Sequence, residues 1–286
     1  FFFETSNVND CHILKYENSI LKVFDTFVQL NCICFMNRSQ LITKNGMVRS
    51  FVNGSPTAEE MVIKINCGKL IWSTNYNIII STFDSTVVLD RKKFTECDMN
   101  FVRNSETLSI IQTSTQNCVI QVTPRQIRII SMPSSTDEES TFSEVYFDAD
   151  QTAIQVANFE NKIAVAFSDD SISLFTFSEL DSKIELMHSI FVDFEISALA
   201  MSGNLLYASF WQFPKIAVFD LISRKKVNEV NLTSDDKIFA SSLLYDDDRD
   251  LLIAGSSSGD VFIVTSQPSK ESHITSLHFS TSPIKL

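Results

Sequence analysis

Four histidines, two acidic runs, six cysteines and one aromatic turn are the residues of this sequence that could do chemistry. His12, His188, His273 and His278 each sit singly in a β-prone run, and the last two are five positions apart. That is a poor spacing for two ligands on an extended chain, so the histidines are expected to be satisfied within their strands. Asp137–Glu139 and Asp246–Asp248 are contiguous acids. A Ca²⁺ loop alternates its carboxylates and needs a glycine to turn, so both runs read as solvated turns. The cysteines (Cys11, Cys32, Cys34, Cys67, Cys97, Cys118) include one C-x-C and no C-x-x-C. Cys32 and Cys34 flank Ile33 in an apolar run, which points to packing rather than metal. No G-x-S-x-G, H-E-x-x-H or phosphate-cradling glycine loop is present. The expectation is therefore no catalytic residue, no metal and no cofactor.

The remaining candidate is Phe210-Trp211-Gln212-Phe213-Pro214. It falls in a turn whose counterparts elsewhere in the chain carry Asp, Ser or Gly. Aromatics displayed in a turn can anchor a partner, so Phe210, Trp211, Phe213 and Pro214 are the candidate partner-binding residues. The rival use of the same side chains is to fold back over the end of their own sheet. Arg224-Lys225-Lys226, the compact basic run, lies in a turn expected on the opposite face, and three charges are too few for nucleic acid.

The elements that must carry these residues repeat. Leu251–Val264, LLIAGSSSGDVFIV, is two short β-prone runs around a Gly/Ser/Asp break and reads as a β-hairpin. The pattern returns at Phe1–Leu14, Leu41–Phe51, Ile78–Leu89, Cys118–Ile130, Ile163–Phe175 and Leu205–Phe219. Equivalent second-strand positions are Phe3, Leu41, Ile80, Ile120, Val165, Tyr207 and Ile253, spaced 38 to 46 residues apart. That is the period of four-stranded propeller blades. The expected fold is all-β, a β-propeller with four-stranded antiparallel blades and about seven repeats. Turns are expected at Asn45-Gly46, Asp84-Ser85, Pro124-Arg125 and Asp169-Asp170. Ser55–Glu60 and Ser131–Glu144 read as loops, and Arg91–Cys97 as an edge strand. With only 6 glycines, Asn, Asp and Ser must serve the turns. The Gly-His and Trp-Asp marks of WD repeats are absent, so the repeat is WD-like only in its length.

Composition narrows the function classes. A hydrophobic fraction of 44% belongs to a folded protein, and no run of 18 apolar residues exists to span a membrane as a helix. A net charge of −12 argues against a nucleic-acid surface. A propeller enzyme would converge His, Asp or Arg on the innermost strands. Those strands, Ile154–Ala157, Ile196–Ala200 and Phe239–Leu243, are apolar and small. Scattered cysteines fit a reducing compartment. The opening FFFETS, without Met, reads as a strand within a longer polypeptide.

Several stretches, in order, resemble the family of three-propeller scaffolds. That family includes the large subunits of the damaged-DNA-binding complex and of the cleavage and polyadenylation specificity factor, and the propeller subunit of splicing factor 3b. Leu41–Val48 (LITKNGMV) is similar to the hairpin LRIIRNG that opens the family's second propeller, and Ile78–Leu89 (IIISTFDSTVVL) to LVLSFVGQTRVL. Gly68–Trp72, Asn117–Ile130, Lys162–Phe177, Leu205–Phe219 and Ser241–Val264 continue the likeness. Ser209-Phe210-Trp211 resembles a GLW of the cullin-adaptor branch, of which a divergent yeast counterpart would fit. Asp84 stands where the family has a turn glycine.

The resemblance implies that residues 1–37 are the closing strands of a preceding propeller. It implies that 38–286 are a second propeller, incomplete at its C-terminal end. It further implies a non-enzymatic nuclear scaffold whose second propeller docks the N-terminal region of a cullin while substrate receptors bind elsewhere. Such a protein is a ubiquitin-ligase adaptor in the response to DNA damage and replication stress. In the alternative branches the same propeller serves pre-mRNA splicing or 3′-end processing.

Overall fold

In the computed structural model, the strands within residues 2–62 are described with their pairing, without their side chains. Most of residues 70–131, 140–265 and 273–278 are described with their side chains, and 284–285 as a short strand. Among the described residues there is no helix, and the strands form seven antiparallel sheets, six of four strands and one of three. In six of the sheets strands consecutive in sequence are neighbours, as in propeller blades. The fold is thus the expected all-β, blade-repeat architecture.

The first sheet combines Phe2–Thr5, Asp10–Glu17 and Ile20–Val28 with Ile284–Lys285, which pairs with Phe2–Thr5 through Glu4↔Lys285 and Thr5↔Ile284. The second runs Ile33–Asn37, Gln40–Thr43, Met47–Val52 and Ser55–Val62. The third has Leu70–Ser73, Asn77–Ser81 and Thr86–Asp90, and the fourth Ser109–Gln112, Cys118–Val122, Gln126–Ser131 and Thr141–Tyr146. The fifth runs Ala153–Phe159, Lys162–Phe167, Ser171–Ser178 and Lys183–Phe191, and the sixth Ile196–Ser202, Leu205–Phe210, Lys215–Asp220 and Lys225–Asn231. Ala240–Asp246, Leu251–Ser256, Asp260–Thr265 and His273–His278 make the seventh.

Contacts divide the chain into two compact units. One holds residues 1–29, 153–175 and 186–286, and the other 30–152 with 176–185. In the first unit, the strand Lys215–Asp220 shows how the core is built. Successive side chains leave a strand on opposite faces. Ala217 and Phe219 accordingly join the core between the fifth and sixth sheets, and Ile216 and Val218 that between the sixth and seventh. A central strand buried on both faces reads as an unbroken apolar run. The second strands, Lys162–Phe167 and Leu251–Ser256, are of this kind. In the second unit, Ile79, Val88, Phe101, Val119 and Ile130 pack together.

A buried polar tie supports that second core. Gln121, fully buried, accepts from Val102 N–H at 2.7 Å and donates to Val102 C=O at 3.0 Å and Thr107 Oγ1 at 2.7 Å. It fastens the connection between the third and fourth sheets to the strand beneath, with every side-chain group satisfied.

Three expected segments differ. Ser55–Glu60 is strand, paired to Met47–Val52 through Phe51↔Pro56 and Val52↔Ser55. A proline is tolerated there because this is the outermost strand of its sheet. Thr141–Glu144 is strand as well, pairing Ser131↔Thr141 to Arg128↔Glu144; residues 132–139, which include Asp137–Glu139, lie outside the described set. Arg91–Cys97 is not an edge strand. The Asp90 carboxylate accepts from Lys92 N–H at 2.8 Å and Lys93 N–H at 2.7 Å, and Phe94 N–H bonds Asp90 C=O at 2.8 Å. That Asx-type turn leaves a lone bridge, Leu89↔Glu96. The expected turns at Asp84-Ser85, Pro124-Arg125 and Asp169-Asp170 each join two strands, while Asn45-Gly46 lies outside the described residues. The scarcity of glycine shows in the backbone. Glu160, Asp170, Gln212, Arg224 and Asp250 take left-handed φ of 49° to 64° without being glycine.

Candidate functional site

The aromatic turn, residues 211–214, joins Leu205–Phe210 to Lys215–Asp220 in the sixth sheet. It lies with the connections that enter and leave that sheet. Trp211 N–H donates to Glu195 C=O at 3.0 Å, and Leu232 N–H to Pro214 C=O at 2.8 Å. The four candidates divide in their exposure. Phe210 and Pro214 are buried, Phe213 is half-buried, and Trp211 keeps 42% of its surface exposed. Phe213 stacks at a tilt on Phe194, centroids 4.3 Å apart, and Phe194 meets the edge of Phe210 at 5.9 Å. Trp211 reaches the other way and tilts over Phe239 at 4.9 Å. Phe210, Phe213 and Pro214 thus cover the end of the sheet, and Trp211 is the member offered to solvent.

What fixes Trp211 is polar. The residue two before it, Ser209, is fully buried, and its hydroxyl lies 2.9 Å from that of Ser197. Both hydroxyls donate to Ala240 C=O, at 2.6 Å from Ser197 and 3.2 Å from Ser209. Two serines on one strand pair therefore hold the first strand of the seventh sheet, placing Phe239 beneath the indole. The left-handed Gln212, φ 64°, completes the turn.

Beside the turn, on the face of the sixth sheet toward the fifth, runs a groove of about 420 Å³. Phe210, Phe213, Ala217 and Phe219 line its apolar part, with Ala217 the small member of that row. Phe191, 78% exposed, and Phe194, 45% exposed, line it too. Its charged lining is Lys215, Arg224 and Lys226 with the acids Asp193 and Glu229. Glu229 bridges Lys215 at 2.8 Å and also pairs with Lys226. The hydrogen bond from Lys215, followed by that from Lys226, holds the Glu229 carboxyl below its ordinary value. Arg224 makes no ion pair among the described residues. Burial pushes the His188 imidazole down, with nearby Arg224 adding to the effect, and His188 Nε2 has no hydrogen-bond partner.

The sequence did not single out Phe191, Phe194 or the groove face of the basic run. The available signal was the pair of phenylalanines, Phe191 and Phe194, at the end of a strand and in the connection after it, where polar residues are usual. The other chemistry-bearing residues are dispersed. His278 Nδ1 lies 2.8 Å from Asp260 Oδ1 on the surface. Asp246 pairs with Arg249 at 2.8 Å, and Asp247 accepts from Ser202 at 2.7 Å. Cys118 is buried and Cys97 half-buried, and burial raises both thiols above their ordinary value. Among the described residues no three of His, Cys, Asp and Glu gather at a point. The side chains of His12, His273, Cys11, Cys32, Cys34 and Cys67 lie outside the described set.

Residues 58–285 match the family model of the RSE1/DDB1/CPSF1 second beta-propeller. The chain belongs to that family. The match begins within the strand Ser55–Val62 and ends on the strand Ile284–Lys285, so it takes in five complete sheets and part of two more. No curated protein matches the chain. The RSE1/DDB1/CPSF1 family is one of propeller scaffolds in multi-subunit nuclear complexes, not of enzymes. No helix among the described residues is long and apolar enough to cross a membrane.

Proposed function

We propose that this chain is the cullin-docking propeller of a ubiquitin-ligase adaptor in the nuclear response to DNA damage and replication stress. In this reading it holds the N-terminal region of a cullin while substrate-receptor proteins bind the same assembly. The observation that carries the reading is the match to a second propeller of a scaffold family. The half-exposed Trp211, set rigidly over Phe239 at a sheet end, supports it as an anchor of the kind that dominates protein interfaces. Phe210, Phe213 and Pro214 serve by shaping the surface around the indole. The alternative is a scaffold of pre-mRNA splicing or 3′-end cleavage and polyadenylation, and the family description includes those members equally.

Affinity capture of the tagged chain from nuclear extract, with partners identified by mass spectrometry, tests the choice. Recovery of a cullin with its RING partner supports the adaptor reading. Recovery of splicing or polyadenylation subunits replaces it with the alternative. The division at residues 37 and 38 is a proposal too, tested by limited proteolysis of the full chain. Cleavage near residue 37 that releases a stable 38–286 would support it. The pairings of Ile33–Asn37 with Gln40–Thr43 and of Phe2–Thr5 with Ile284–Lys285 weigh toward protection there instead.

A further inference from the structure

The groove beside the aromatic turn is built for a particular chemistry. Its hollow is apolar, and at about 420 Å³ it is of the size that accepts one large side chain with its neighbours. It runs along Lys215–Phe219, four residue steps or about 13 Å, which an extended segment of about four residues would span. Phe191 and Phe194 leave large apolar surfaces in water along its edge. Its charge runs against that of the molecule. The chain carries a net −12, yet Lys215, Arg224 and Lys226 line this one hollow. Two acids, Asp193 and Glu229, line it as well, so the three cations exceed them by one; Glu229 is engaged by Lys215 and Lys226, while Arg224 makes no ion pair among the described residues. An acidic ligand would be repelled by most of this surface and admitted here, which is how charge selects a site as well as a partner.

Resting on the reading of this chain as a scaffold, we propose that the groove takes an acidic, apolar peptide segment of a partner protein. A bulky apolar side chain enters the hollow over Ala217, and a carboxylate one to three residues away pairs with Arg224, with Lys226 beside it adding to the positive field. A second copy of this chain would bring its own net negative charge and lacks the preference. A polynucleotide would find three cations, too few for a phosphate track.

The test is selection of a random dodecapeptide phage library on the immobilised full chain, followed by fluorescence-polarisation titration of the selected peptides. The expected consensus pairs Phe, Leu or Trp with nearby Asp or Glu. Affinity should fall at least about tenfold in Arg224→Glu/Lys226→Glu and in Phe191→Ala, all at exposed positions, and should fall as salt is raised. Basic or neutral consensus peptides, acidic peptides that bind the variants as well as the parent, or no selected peptide at all would overturn the proposal. Self-association reversed by the same substitutions would overturn it in favour of a second copy. Capture from extract separates this from the scaffold reading. Loss of the peptide site with partners retained defeats the groove alone. Peptide binding by a chain that captures no partner defeats the scaffold reading alone.

Discussion

Truncating Trp211 to alanine separates the two uses of the aromatic turn. Trp211 is 42% exposed, so of the roughly 250 Å² a tryptophan can bury, about 100 Å² is left for a partner and about 150 Å² is already covered by this chain. At about 25 cal/mol per Å², a docked partner gains up to about 2.5 kcal/mol from the exposed part, or about 70-fold in Kd. The covered part, including the tilted contact with Phe239, bounds the folding cost at about 4 kcal/mol, an upper limit because unfolded chains are not fully extended. For a chain of this size that lowers Tm by no more than about 8 to 16 °C. Trp211→Ala is therefore expected to stay folded at 25 °C, melt several degrees lower, and bind its captured partner tens of times more weakly. Scanning fluorimetry and a biolayer-interferometry titration at 25 °C measure the two quantities. A variant that melts lower while binding within twofold of the parent would show that Trp211 packs and does not dock.

Other consequences follow from the cores and the charges. Val165 is fully buried in the fifth sheet, so Val165→Asp strands an unpaired charge at a cost of about 3 to 5 kcal/mol and should remove the cooperative melt, read by circular dichroism. Gln121→Leu leaves the Val102 amide and carbonyl without this partner and the Thr107 hydroxyl with that of Thr86 alone, and is expected to cost about 3 kcal/mol in a urea titration; an unchanged midpoint would mean water replaces the lost bonds. The Glu144 carboxyl is held below its ordinary value of 4.5, first by the hydroxyl of Tyr146 and then by Arg128. A depressed carboxyl stabilises the fold above its unfolded value and loses that contribution as pH falls through the folded one. Stability should therefore drop on acidification below about 4.5, and Glu144→Gln should flatten that part of the urea-midpoint profile.

The repeat was legible because central strands are buried on both faces and must be apolar throughout, as in Leu251–Ser256. Two outer strands, Ser55–Val62 and Thr141–Tyr146, were not, for the complementary reason. Thr141–Tyr146 has no fully buried residue, so nothing in its sequence is forced to alternate, and its acids and serines read as loop. Arg91–Cys97 failed through a local competitor: the Asp90 carboxylate bonding two amides outbids a ladder. At the site, the turn position of Trp211 was visible as an aromatic where other turns are polar. The groove was not, because its lining is drawn from the fifth sheet's outer strand and the connection after it together with strands of the sixth, a matter of packing between elements that are not neighbours in sequence.

The central claim is that this propeller is a docking scaffold whose cullin-facing contact runs through Trp211. Isothermal titration of the full chain with the purified N-terminal region of a cullin tests it most directly. The account predicts saturable one-to-one heat for the parent and a strongly weakened isotherm for Trp211→Ala. Absence of heat with the parent, while the same preparation binds a splicing or polyadenylation subunit, would contradict it.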